Sequence, residues 1–239
     1  TFQCPGYYKA GDSRISCYHG TSHGQIDFVT SFAKSCNSSF ANIGMSLDRE
    51  AFSDTLDTLL FGEKLPLALT YSQSSVQVSE SMGDAEMMQT SIGQGKTQIT
   101  PVHLNMITSA IANGGVLMKP YVIDHGENDV GSVVKTFKPS EYKRLMSEEE
   151  ADKLTELLTA VVEEGTARKL KGLSYTAAGK TGSAEYNNVK GDSHAWFTGF
   201  APAEDPEVCV TIIVEGAGSG GDYAVPIARR IFDAYFAAK

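Results

Sequence analysis

No apolar run in the 239 residues approaches the roughly 20 needed to cross a bilayer, so no membrane helix is expected within the chain. The first residues, "TFQCPGYYKAGDSR", lack the basic-then-apolar order of a signal peptide, which places any export signal or anchor outside this sequence. Basic residues are scarce too. Twenty Lys and Arg face 29 Asp and Glu, a formal charge of −9, and no Lys/Arg-rich run offsets it. Such a surface repels polyphosphates, and nucleic acid is not an expected partner. No internal repeat and no low-complexity tract is present. Two Gly-Lys-Thr stretches imitate a phosphate loop, but the first glycine of Gly-x4-Gly-Lys-[Ser/Thr] falls on Ser174 in one and Thr90 in the other. Neither is a nucleotide site. No cofactor is expected.

Cysteine is also sparse: four are too few for a disulfide scaffold of this size. Cys4 and Cys17 flank a Gly/Asp-containing turn and read as a disulfide in an oxidising compartment, or as free thiols. With His19 and His23 nearby a zinc ion is the alternative. The tight Cys-x2-4-Cys spacing of structural zinc sites is missing, however, and no metal is expected. Cys36 and Cys209 lie in apolar surroundings and read as small core residues.

What is present is an ordinary globular composition, 41% hydrophobic and 21% charged, enough for one large domain or two small lobes. Apolar residues recur at helical spacing from Asp27 to Ile43, and "KSCNSS" interrupts them where two helices meet. A helix follows across "LDREAFSDTLDTLLF" and stops at Gly62. Thr100-Pro101 starts another, with threonine as cap and proline where its missing N–H costs nothing. Its stripe is Val102, Met106, Ile107 and Ile111, ending at Asn113-Gly114-Gly115. Ser147 and Glu150 make a capping box for a helix reaching about Gly165. His103 and His194 read as structural or exposed.

After Ser174 the texture changes. "HAWFTGFAPAEDPEVCVTIIVEG" is two β-rich runs around a Pro/Asp/Glu turn, the pattern of an antiparallel hairpin. Trp196, Phe197 and Phe200 read as core. "AVPIARRIFDAYF" closes the chain as an amphipathic helix with Ile227, Ile231 and Tyr235 on one face. The expected class is α+β: an antiparallel sheet with covering helices over about 174–239, and a mainly helical lobe over about 1–173.

Three marks carry chemistry together. Ser35-Cys36-Asn37 is a Ser-x-Asn at a helix junction, Lys180-Thr181-Gly182 is a Lys-Thr-Gly on an expected strand, and Ser91-Ile92-Gly93-Gln94-Gly95 is a glycine-rich loop before a capped helix. Ser-x-x-Lys, Ser-x-Asn and Lys-Thr-Gly elements are the signature of penicillin-binding proteins and serine β-lactamases. With "QTSIGQGKTQITPVHLNMITSAIANGGVLMKPYVI", "EEGTARKL", "AAGKTGSAE" and "HAWFTGFAP" in the same order, the chain resembles the later part of the transpeptidase domain of a class B penicillin-binding protein, almost end to end. The bland alternatives are that Ser35 and Asn37 cap a helix, that Lys180 solubilises an edge strand, and that Gly93 and Gly95 only turn the chain.

The resemblance implies a penicillin-binding-protein/serine β-lactamase-like fold, here incomplete at its N-terminus. It further implies a D,D-transpeptidase that crosslinks peptidoglycan stem peptides ending in D-Ala-D-Ala through a serine acyl-enzyme and binds β-lactam antibiotics. A D,D-carboxypeptidase or β-lactamase is a close variant, and a non-catalytic sensor or scaffold of a cell-wall complex is the reading from another class. Partners in division or elongation and an extracytoplasmic, membrane-anchored setting come with the resemblance.

Of the site residues, Ser35 is expected to relay a proton, Asn37 to hold the substrate amide and the base, and Lys180 to lower the pKa of a second lysine. The Thr181 and Ser183 hydroxyls suit the terminal carboxylate, Gly182 admits the substrate backbone, and the Ser183 N–H is an oxyanion donor. The family more often has threonine where Ser183 stands. The nucleophile's Ser-x-x-Lys is expected upstream of this chain. Ser31 to Lys34, Ser132 to Lys135 and Ser140 to Lys143 fit the spacing but fall in the wrong places.

Overall fold

A computed structural model describes residues 1–186 and 192–239. Four short strands come first: β1 (Phe2–Cys4), β2 (Tyr7–Ala10), β3 (Ser13–Ser16) and β4 (Gly24–Ile26). β2 and β3 form a hairpin, and β1 lies antiparallel to β4 with Phe2 opposite Ile26. Next come α1 (Phe28–Ala33), capped by the Asp27 carboxylate, and α2 (Asn37–Ser46). The two helices meet at "KSCNSS", as the interrupted periodicity predicts. α3 (Arg49–Thr58), α4 (Asp84–Ser91) and α5 (Pro101–Ala112) complete this helical stretch.

The helix starts follow their caps. The Thr100 hydroxyl accepts from the His103 N–H at 3.3 Å, with Pro101 in the first turn. After β5 (Val116–Met118), β6 (His125–Glu127), β7 (Val133–Thr136) and β8 (Glu141–Arg144), the Ser147/Glu150 capping box opens α6 (Glu148–Glu163). Both halves of the box are made: Glu150 accepts from the Ser147 N–H at 2.8 Å and donates its own N–H to the Ser147 hydroxyl at 3.2 Å. Three glutamates in that first turn complement the helix dipole.

A three-stranded antiparallel sheet, in the order β11-β10-β9, is built from β9 (Ala178–Glu185), β10 (Ser193–Ala201) and β11 (Val208–Val214). β10 and β11 are the expected hairpin. β9 carries Lys180 opposite Thr198 and Thr181 opposite Phe197. α7 (Gly220–Ala237) closes the chain across this sheet. The architecture is α+β, as the order of elements implies.

The main core lies between sheet and helices. Val161 and Val162 of α6, Phe197 of β10 and Phe232 of α7 are its buried centre, with Phe32 of α1 packed against it. Phe197 and Phe200 are fully buried, while Trp196 is half-buried.

Two helix faces differ from expectation. On α7 the buried side is Ala224, Val225, Ala228 and Phe232, whereas Ile227 and Ile231 are exposed. Small residues let the helix axis approach the sheet, so contact distance rather than side-chain size selects the face. On α5, Met106 is buried but Val102 is exposed. His103 is buried instead, its Nε2 2.8 Å from the Leu59 carbonyl.

Candidate active site

α1 ends in a left-handed stop. The Ser35 N–H donates to the Phe32 carbonyl at 3.1 Å and the Cys36 N–H to the Ser31 carbonyl at 2.9 Å. Ser35 itself has φ +53°, a conformation that non-glycine residues rarely hold and that recurs at functional sites. The stop aims its side chain at the sheet. Lys180 Nζ donates to Ser35 Oγ at 2.9 Å, joining residues 145 apart in sequence. Helix α2 is capped by Cys36, whose Sγ accepts from the Ser39 N–H, so neither Ser35 nor Asn37 is spent on capping.

Lys180 reaches the cleft from a half-buried position on β9, 5.8 Å above the Phe32 ring. Its other hydrogen bond, at 2.9 Å, is to the Thr181 carbonyl. Both partners are neutral, and loss of water around the ammonium pulls its pKa down to about 8. At pH 7 it is still mostly charged. An anion in the cleft therefore meets a cation with little water to screen it.

β9 forms one edge of its sheet, and two close approaches set its surroundings. A Cβ on Gly165 would lie 2.2 Å from the Ala33 carbonyl oxygen, so only glycine lets the end of α6 close against α1. Thr166 then donates its N–H to Ala33 at 3.2 Å and hydrogen-bonds the Thr181 hydroxyl through its own. A Cβ on Gly220 would lie 2.3 Å from the Trp196 carbonyl oxygen, so glycine seats the start of α7 on the strands. Its N–H donates to Ser183 Oγ at 3.3 Å. Gly93 and Gly95, both at positive φ, turn the chain so that Gln94 Nε2 reaches the Ser183 carbonyl at 3.2 Å.

The result is a cleft of about 840 Å³ in which Ser35, Asn37, Lys180, Thr181, Gly182 and Ser183 all line one hollow. A second hollow of about 890 Å³ shares Asn37, Gln94 and Ser183 with it. Asn37 is placed differently from Ser35: its amide N–H donates to the Ser16 carbonyl at 3.0 Å, which leaves its second N–H and its oxygen for other work. Arg168 and Lys169 add positive charge at the rim, Lys169 being paired with Asp222 at 2.8 Å.

Thr166, Gln94 and Gly220 were not assigned roles from sequence. They touch β9 only through tertiary closure, and the one signal for Thr166 was its place in "EEGTARKL". None of the three local Ser-x-x-Lys matches supplies a nucleophile to the cleft. Ser31 is buried and its hydroxyl donates to the Asp27 carbonyl at 2.6 Å, while Ser132 and Ser140 are exposed beside β7 and β8. Cys4 and Cys17 are free thiols with sulfurs 3.7 Å apart, not a disulfide. Cys36 is buried as expected, but among those sulfurs rather than among aliphatic side chains.

Residues 1–233 match the family model for the penicillin-binding protein transpeptidase domain. The peptidoglycan D,D-transpeptidase PbpA of Mycolicibacterium smegmatis is 32% identical over 212 residues, covering 85% of this chain and 43% of that protein. Stage V sporulation protein D of Bacillus subtilis is 30% identical, covering 96% of this chain and 37% of that protein. The chain thus spans less than half the length of these curated relatives. Among solved structures, penicillin-binding protein A from M. tuberculosis as a ceftriaxone acyl-enzyme complex superposes with a TM-score of 0.89 at 27% identity, over 97% of this chain and 54% of that one.

Proposed function

The chain belongs to the class B penicillin-binding protein transpeptidase family, and from that premise we propose that its cleft is the larger part of a D,D-transpeptidase site acting on peptidoglycan stem peptides and acylated by β-lactams. The observation that carries this is the 2.9 Å contact between Lys180 and Ser35 across the cleft. An ammonium on a strand edge and a hydroxyl on a helix junction face one hollow, as transfer of an acyl group from a carboxylate-ended peptide requires.

In such a transfer a serine hydroxyl attacks the carbonyl of the penultimate D-alanine, and its proton passes to a base. The C–N bond then breaks as the departing amine takes a proton. In this proposal the nucleophile and its lysine come from outside the 239 residues. Ser35 Oγ, held by Lys180, is both donor and acceptor and suits the proton relay. The free N–H of Asn37 holds the substrate amide.

Thr181 and Ser183, backed by Lys180 and buttressed by Thr166 and Gly220, receive the terminal carboxylate or its β-lactam mimic. The Ser183 N–H serves as an oxyanion donor, and the open edge of β9 accepts the peptide as an added strand. The substrate's chemistry sets the cleft on the extracytoplasmic side in this proposal, and among the described residues no helix is long and apolar enough to cross a membrane.

The test is labelling of the full-length protein with a fluorescent penicillin, followed by turnover of a D-Ala-D-Ala donor with an amine acceptor. Labelling with turnover is expected, and Lys180→Ala lowers the acylation rate about 100-fold, the worth of a charge-assisted hydrogen bond of ~3 kcal/mol. Ser35→Ala also slows acylation. Labelling without turnover makes the protein a sensor, absence of both makes it a scaffold, and either result overturns the proposal.

A further inference from the structure

We propose that Cys4, Cys17, Cys36 and His23 bind one zinc ion, and that this ion clamps the Ser35-Cys36-Asn37 loop to the N-terminal strands. The four donor atoms all lie within 4.8 Å of one another. Four of the six edges between them are close to those of a tetrahedral zinc site. Zinc bonded to sulfur at about 2.3 Å and to nitrogen at about 2.0–2.1 Å gives sulfur–sulfur edges of about 3.8 Å and sulfur–nitrogen edges of about 3.6 Å. The observed edges are 3.7 Å for Cys4–Cys17, 3.8 Å for Cys17–Cys36, 3.4 Å for Cys4–Cys36 and 3.4 Å for Cys4 Sγ to His23 Nδ1.

The donor set selects the metal. Soft thiolates with one imidazole suit zinc over the hard, oxygen-seeking cations, and four protein ligands leave no position for water. That makes the site structural rather than catalytic.

The surroundings are built for thiolates as well. The Ser38 hydroxyl lies 2.9 Å from Cys17 Sγ, and the Ser39 N–H donates to Cys36 Sγ at 3.4 Å. Both belong to the first turn of α2, whose positive end favours negative sulfur. The Cys17 N–H is itself tied to the Gly6 carbonyl at 2.9 Å, fixing the loop that carries this ligand.

The N-terminal corner has little else to hold it. Its buried cluster is the three cysteines and Ile26, with Phe2 packed alongside, and its sheets are two-stranded ribbons of three or four residues per strand. Ribbons of that size are marginal in water, whereas a structural zinc ion supplies folding energy directly. Spacing concealed the site because each ligand comes from a different element: the end of β1, the loop after β3, the approach to β4 and the cap of α2.

The link to the cleft is covalent. Cys36 lies between Ser35, which Lys180 contacts, and Asn37, whose amide is anchored to Ser16 next to ligand Cys17. An ion on Cys36 therefore orients both neighbours. The four ligands are positioning residues, and the zinc proposal stands whether or not the cleft performs transpeptidation.

Full-length protein purified without added metal or chelator is expected to carry one zinc per chain by elemental mass spectrometry. Cys17→Ser and His23→Ala are expected to lose it, His23→Cys to retain it through a fourth thiolate, and Cys209→Ser to retain it as a control. Cobalt(II) in place of zinc should give the intense visible bands of tetrahedral thiolate coordination, and Ser38→Ala should weaken the metal about 10- to 100-fold in a chelator competition. If the serine and alanine variants precipitate, the His23→Cys and Cys209→Ser pair and the cobalt spectrum decide. Metal-free protein with a Cys4–Cys17 disulfide by intact mass, or full zinc content in Cys17→Ser, overturns the proposal. Lys180→Ala should keep its zinc, which separates failure of this site from failure of the cleft.

Discussion

The two sides of the cleft are held together by different means. Behind β9 lies a carbon core, in which Phe197, Phe232, Val161 and Val162 are all buried between a sheet and two long helices. Behind Ser35 and Asn37 the buried centre is three sulfurs, an isoleucine and the edge of a phenylalanine. Dispersion and water release stabilise the first side in proportion to the area it hides. The second side buries far fewer apolar side chains, and in our proposal its order depends on four donor atoms converging on one ion. The cleft thus joins a wall held by packing to one that, in our proposal, is held by coordination.

The strongest way to break this comparison is to remove the metal. A chelator should abolish hydrogen-exchange protection in residues 1–26 and in the Ser35–Asn37 loop, because a structural zinc site contributes on the order of 10 kcal/mol, while β9–β11 and α7 keep their protection. Equal loss on both sides would mean that one cooperative unit spans the cleft. Phe232→Ala is the converse experiment: a buried phenylalanine truncated at the centre of the carbon core costs about 3–5 kcal/mol, read as a lowered denaturant midpoint. Zinc stoichiometry should not change.

Lys180 sharpens the comparison through pH. Its ammonium titrates near 8 in the folded protein against an ordinary 10.5. Acylation that uses the charged form should be level around pH 7 and fall towards tenfold per pH unit above about 8. Stability should move oppositely. Between about 8 and 10.5 the unfolded chain holds more protons than the folded one, so this group's contribution to unfolding free energy rises with pH. A flat acylation profile from pH 7 to 10 would remove Lys180 from the step. The smallest effect belongs to the α6 cap, where Ser147→Ala should cost about 1 kcal/mol in thermal or urea melts and leave acylation unchanged.

Local chemistry was legible from the chain alone. The Thr100 and Ser147 caps, the β10–β11 hairpin and the lysine-bearing strand each depend on residues a few positions apart. The candidate site residues were picked out for another reason, since their order along the chain matched a known family. Faces were harder to read. On α7 the isoleucines look like the core stripe, yet Ala224 and Ala228 are buried, because a short side chain permits an approach that a long one blocks.

Sequence by itself determined the elements, their α+β order and the residue types that line the cleft, because propensity, capping and turn chemistry act over single turns of chain. Tertiary structure alone decided which groups touch. Ser35 meets Lys180, Thr166 meets Thr181 and His23 joins three cysteines from separate elements because closure at Gly165, Gly220 and Gly6 brings distant backbone together. Such meetings depend on the shape of the space between elements, and no count of residues along the chain encodes that shape.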